Sequence, residues 1–204
     1  MRKQAISFQT FLRVQEQWPK GWFSLAELLK SDDALQADIS NLPTMSELAM
    51  IRKITVELLN PLRVRWGGPL TVTSGFREPE LNHRIGGSPT SDHLYQIGGA
   101  ADLVPVDATE AGLVDFLEFV VEMAVAGAAD GKNERIDPPS IPPHSGGREE
   151  TPPPPPASGG EIEFDQLIIE PGWVHIGWRP NGNRFQVKRM MLVGGKNIYE
   201  EYRP

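Results

Sequence analysis

The stretch Ser91-Asp92-His93-Leu94-Tyr95-Gln96-Ile97-Gly98-Gly99-Ala100-Ala101-Asp102-Leu103-Val104 ends in a small apolar run that reads as a strand, and it places a histidine and an aspartate on either side of a glycine pair. Much later, Trp173-Val174-His175-Ile176-Gly177-Trp178 puts a second histidine inside another strand-like segment. Two imidazoles and one carboxylate form a donor set of the nitrogen and oxygen type that a catalytic zinc uses, with a fourth position kept for water. A single zinc ion held by His93, Asp102 and His175 is therefore expected, and the fold must be one whose strands bring these three together.

Outward from those segments, Leu70-Thr71-Val72-Thr73-Ser74 reads as a strand, as do Phe164–Ile169 and Phe185–Lys188. Ser24-x-x-Glu27 and Thr44-x-x-Glu47 have the form of capping boxes. The second of these precedes a helix expected from about Ser46 to Leu62, with Leu48, Ile51, Thr55, Leu58 and Leu62 on one face and a bend near Asn60-Pro61. Another helix is expected from about Thr109 to Ala126, with Leu113, Leu117, Val120, Val121 and Ala124 facing inward. The fold class is α+β: a small antiparallel sheet with helices packed around it, its strands and loops lining a shared groove.

The run Thr73-Ser74-Gly75-Phe76-Arg77, then Leu81-Asn82, Gly86-Gly87-Ser88-Pro89-Thr90-Ser91-Asp92-His93 and Gly98-x-Ala100-x-Asp102, resembles the zinc D-alanyl-D-alanine carboxypeptidase family in its phage and bacterial peptidoglycan branch. Phe164-Asp165-Gln166-Leu167-Ile168-Ile169-Glu170, Trp173-Val174-His175 and the opening Phe23–Ser31 are similar to that branch too, so the resemblance covers about residues 22–180. It implies a hedgehog/DD-peptidase-like zinc groove with His93, Asp102 and His175 as ligands. Arg77 would hold or polarise the substrate, and Ser91 would line the site. Two departures stand out: the His93-to-Asp102 loop is longer than is usual in the family, and the position three residues before the last histidine, where well-studied members carry an acidic base, is Gly172. The nearest acid is Glu170, and the Pro171-Gly172 pair offers a turn or bulge that would bring its carboxylate to the site.

The chemistry has its own reading. A carboxylate beside a zinc-activated water moves its proton to a leaving amine, and a guanidinium provides a fixed planar cation for a substrate carboxylate or for charge growing on a tetrahedral oxygen. Glu170 and Arg77 are the candidates for these roles. Glu170 has a second reading as a group that orients a ligand histidine. Trp173 and Trp178 flank His175, either as packing or, for Trp173, as a substrate wall. His83, in a short helix stopped by Gly86-Gly87, and His144, in a proline-rich stretch, read as ordinary hydrogen-bonding histidines. Asp165 and Gln166 read as supporting groups.

Composition fits one soluble unit. The chain has 204 residues, 39% of them hydrophobic and 23% charged, with a net charge of -7 and no cysteine. The negative charge and the lack of a Lys/Arg cluster argue against nucleic acid as a partner. Disulfides and thiolate ligation are excluded, and no segment is long enough to span a bilayer. The basic start Met1-Arg2-Lys3 is followed by polar interruptions rather than an apolar core, so no signal peptide is expected. The expected setting is cytoplasmic until release, or virion-associated, with action on the bacterial wall as a monomer. Residues 1–21 read as an extension and 22–190 as one domain, interrupted at about 130–160 by a Pro/Gly-rich insertion with Pro152–Pro156, and 191–204 as a tail. The expected function is hydrolysis of an amide bond in peptidoglycan stem peptides or crosslinks, as a carboxypeptidase or endolysin-like endopeptidase. The alternative is a weakly active or inactive wall-binding or phage structural module on the same fold.

Overall fold

A computed structural model describes residues 4–106, 108–129 and 162–202. The Pro/Gly-rich insertion and His144 lie outside the described residues. Short helices lead the chain: α1 (Phe8–Glu16), α2 (Leu25–Leu29) and α3 (Asp32–Gln36), each with a serine at its N-cap whose hydroxyl accepts a backbone N–H of the first turn. Thr44 and Glu47 form the expected capping box, with Thr44 N–H donating to the Glu47 carboxylate at 2.7 Å and Glu47 N–H donating to the Thr44 hydroxyl at 3.3 Å.

The helix that follows runs beyond the sequence expectation, in three parts. Helix α4 (Met45–Ile54) passes through a π turn at Thr55–Leu59 into α5 (Asn60–Trp66), which ends at Gly67 with φ 76°. Pro61 lies in the first turn of α5. A proline in mid-helix has no N–H to donate and its ring crowds the carbonyl four residues back. The widened turn just ahead provides that room, so the chain continues to Trp66 rather than stopping near Leu62.

The remaining elements are β1 (Leu70–Ser74), α6 (Pro79–Arg84), a 3-10 turn at Asp92–Leu94, β2 (Gly99–Pro105), α7 (Glu110–Ala129), β3 (Gln166–Glu170), β4 (Trp173–Trp178), β5 (Gln186–Val193) and β6 (Lys196–Glu201). The strands form a sheet in the order β1-β2-β4-β3-β5-β6. Its pairs are antiparallel except β3 with β5, which is parallel. Residues 191–201, which the sequence leaves as a tail, hold the end of β5 and all of β6.

One sheet face carries Ala101, Leu103, Leu167, Ile169, Val174, Ile176 and Trp178 into the core. There they meet Leu113, Phe116, Leu117, Phe119 and Val120 of α7, with Ile51, Ile54, Leu58 and Leu62 of the α4–α5 rod. Trp66 packs edge-on against Phe116 and Phe119, at 5.0 and 5.2 Å between ring centroids. Trp178 belongs to this core layer, with the Lys53 ammonium 5.7 Å from its ring centre. The opposite face carries the polar residues.

Candidate metal centre

In the β2–β4 pair Asp102 lies directly opposite His175. Side chains of paired residues share a face, so both project from the face away from the core. A bulge in β1 between Val72 and Ser74 leaves Ser74 opposite Asp102 on the same face. His93 arrives from outside the sheet, on the 3-10 turn that Ser91 caps by accepting the His93 N–H at 3.3 Å.

The longer His93–Asp102 loop leaves β2 in place. Tyr95 takes a left-handed conformation, φ 54°, and turns into the core, where its hydroxyl donates to the Ala100 carbonyl at 2.7 Å. Gly99 is needed beneath that ring, since a Cβ there would come within 2.6 Å of it. The slack is taken up at the surface by Gln96 and Ile97.

His93 Nδ1 lies 2.6 Å from the Gly75 carbonyl. A carbonyl only accepts, so Nδ1 carries the proton and Nε2 presents its lone pair to the site. That lone pair is 3.2 Å from Asp102 Oδ1 and 3.2 Å from His175 Nδ1, and His175 Nδ1 is 2.8 Å from Asp102 Oδ1. Tetrahedral ligands about 2.0–2.1 Å from a zinc ion stand roughly 3.3 Å apart, so three donor atoms already gathered around one point need only a slight opening to hold it. His93 and Asp102 are each 3% exposed and His175 is 9%. The donor set thus fits a metal, and it is the metal-capable group of His, Asp and Glu side chains among the described residues.

The electrostatics point the same way. Burial holds the His93 pKa below its ordinary value, which keeps its lone pair free. Burial opposes charge on His175 and Asp102 as well, yet the imidazoles hold Asp102 well below the usual carboxylate range, and Asp102, with Glu170 and Asp92 behind it, pushes His175 up. A buried carboxylate and two converging nitrogens call for positive charge at their centre.

Arg77 is anchored beside the cluster. Its Nη2 donates to Asp102 Oδ2 at 3.0 Å and its Nε to the Ser74 hydroxyl at 2.9 Å. The guanidinium thereby occupies one Asp102 oxygen and leaves Oδ1 for the histidines. Asn41 secures the same loop, donating to the Leu29 and Phe76 carbonyls and accepting the Glu78 N–H, each at 2.9 Å.

Glu170 ends β3 and pairs with Trp173 across a two-residue turn, Pro171-Gly172, where Gly172 has φ 102°. Pro followed by a positive-φ glycine is the form of a type II turn. In this register Ile168 faces His175, and Glu170, two residues on, shares their face. Burial raises its pKa, and the charges it feels are those of His175, Asp102 and Arg77. Trp173, two residues before His175, lies on that face too. His83 is exposed on α6, away from the cluster.

Sequence reasoning reads Asp165 as a supporting group but misses the Gly75 carbonyl and the two arginines behind the ligands. The Gly75 carbonyl that fixes His93 has no signature beyond a glycine. Asp92 meets Arg179 at 3.4 Å, and Arg179 Nε meets the buried Asp165 at 3.1 Å. Asp165 also receives Arg184, through its backbone N–H at 3.1 Å and its side-chain Nε at 2.9 Å. This chain of charges ties the turn bearing His93 to the start of β3.

A family model described as Peptidase M15 matches residues 21–133, a span that includes Arg77, His93 and Asp102 and stops short of the β3–β4 hairpin. No curated protein matches the chain.

Proposed function

The chain belongs to the peptidase M15 family of zinc D-alanyl-D-alanine carboxypeptidases, and from that membership we propose that it hydrolyses an amide bond in the stem peptides or crosslinks of peptidoglycan. At family level it is a zinc metallopeptidase. The observation that carries the reading is the strand register that sets an acid, Glu170, on the sheet face of the His93–Asp102–His175 cluster.

His93 Nε2, His175 Nδ1 and Asp102 Oδ1 would hold the ion. Zinc bound there supplies a lowered water pKa and polarisation of the scissile carbonyl. Glu170, made more basic by its burial, accepts the proton of the attacking water on a carboxylate oxygen and returns it to the departing amine nitrogen. Arg77 keeps Asp102 oriented, and its remaining N–H groups face charge that develops on the substrate. Ser91 fixes the turn that presents His93, and Trp173 supplies an aromatic wall beside Glu170. The low exposure of the cluster excludes competing water.

The test is mass spectrometry of peptidoglycan sacculi incubated with zinc-loaded protein, with a chelated control. New peptide ends that vanish with the chelator are expected, and their identity names the bond and separates end-trimming from internal cleavage. Protein that holds zinc and yields no new ends would replace hydrolysis with a wall-binding role. Ala in place of His93, Asp102 or His175 should remove bound zinc, and full occupancy in all three variants would dismiss the ligand set.

A further inference from the structure

The face that carries the site continues past Glu170. Ile169 pairs with Arg189 in parallel register, which sets Met190 beside Glu170 at the next position, and Met190 pairs with Tyr199. On the other flank Glu170 pairs with Trp173. One row across four strands therefore reads Trp173, Glu170, Met190, Tyr199, and residues in one row share a face. This is the face of His175 and Asp102.

The hairpin's other face is already engaged. The Arg189 guanidinium lies 5.5 Å from the centre of the Tyr202 ring, and the Tyr202 hydroxyl donates to Glu118 of α7 at 2.9 Å. Tyr199, by contrast, is 48% exposed and Leu192, further along the site face, is 67% exposed. Partial burial and then the charge of Glu170 push the Tyr199 hydroxyl above its ordinary pKa, so phenol and carboxylate are within electrostatic reach. Asn197, two residues before it on the same strand, lies near that hydroxyl, which leaves the ring as the surface on offer. The hairpin also lies beyond residues 21–133, the part that matches the family.

We propose that Tyr199, paired with Met190 across the β5–β6 hairpin, is a specificity-determining residue whose ring packs against the substrate peptide on the Glu170 flank of the scissile bond. The ligand chemistry it suits is a peptide with small apolar side chains, such as the alanine methyl groups of a wall stem peptide. This rests on the peptidoglycan reading above. An aromatic face adds binding through dispersion and burial without taking part in proton transfer, so its loss should appear in binding rather than in the chemical step.

The experiment has two arms, both with zinc-loaded full-length protein and a synthetic stem pentapeptide. Turnover is measured for the natural sequence, Tyr199→Phe and Tyr199→Ala, and peptide binding is measured by calorimetry on Glu170→Gln with and without Tyr199→Ala. Tyr199→Ala should raise KM and weaken binding about tenfold, with kcat and zinc content held, and Tyr199→Phe should behave as the natural protein. Equal KM and equal binding for Tyr and Ala would overturn the proposal, as would zinc loss in Tyr199→Ala. Absent turnover with Tyr199-dependent binding would defeat the hydrolytic reading and leave Tyr199 standing. Absent turnover and absent binding would defeat both.

Discussion

The His93 ring is fixed through Nδ1, and that arrangement makes its neighbours testable. Gly75 supplies the carbonyl that fixes its tautomer, and a Cβ on Gly75 would fall 2.3 Å from the Leu28 carbonyl oxygen. Gly75→Ala must move that loop, and a misplaced partner to a metal-bound histidine typically costs 10–100-fold in metal affinity. A zinc titration that finds unchanged affinity would remove Gly75 from the site. Glu170→Gln keeps the shape and removes the proposed base, so zinc should remain while turnover falls by roughly 10²–10⁴-fold. The pH dependence follows from the direction of the Glu170 shift. A base works only when ionised, and burial raises its pKa, so kcat/KM should be full above that raised value and fall as pH drops through it. An acid limb is therefore expected in the zinc-loaded protein over a range in which bound zinc is shown to persist, and a limb that remains unchanged in Glu170→Gln contradicts the assignment.

Among the elements, the turn after β4 is the one whose charges reach the site. Asp165 is fully buried, accepts Arg184 and forms an ion pair with Arg179, and Arg179 continues to Asp92, the neighbour of His93. Burial alone would raise the Asp165 pKa, but the arginines outweigh it and hold it below its usual value. A depressed acid contributes stability above its unfolded pKa, about 3.9, and that contribution is lost as pH falls through the folded value. Asp165→Asn should therefore destabilise the protein by about 2 kcal/mol at neutral pH, below the range for fully buried pairs because both arginines keep some exposure. The difference from the natural protein should close in acid. Denaturant unfolding at several pH values measures it, and a gap that does not narrow below about pH 4 would show that the ion pairs are not its source.

For the molecule as one folded unit, the buried donor set couples metal to stability. Zinc held by the assembled cluster and not by the open chain would, at about a hundredfold over Kd, add about 2.7 kcal/mol. For a chain of this length that is a rise in Tm of roughly 5–10 °C. Calorimetry of chelated and zinc-loaded protein checks it, and His93→Ala should abolish the shift. An equal shift in that variant would place the stabilising ion elsewhere. Much of the architecture was legible in the chain. Leu70–Ser74 and Trp173–Trp178 have the bounds expected of them, because short apolar runs bounded by turn residues signal strands locally. The Thr44–Glu47 box and the α7 face were legible for the same reason: their interactions span three or four residues. Strand β6 was silent because every one of its residues is exposed, so no alternation marks it, and the parallel β3–β5 pair joins segments that no local pattern links. The sequence by itself determined the strand-forming runs, the capped helices and the types of donor available. Only the tertiary structure decided that Asp102 faces His175, that Glu170 shares their face across a Pro-Gly turn, and that Arg77 is bound to Asp102. Sheet register sets which side chains meet across distant segments, and register is fixed by the packing of the whole core rather than by any stretch of chain alone.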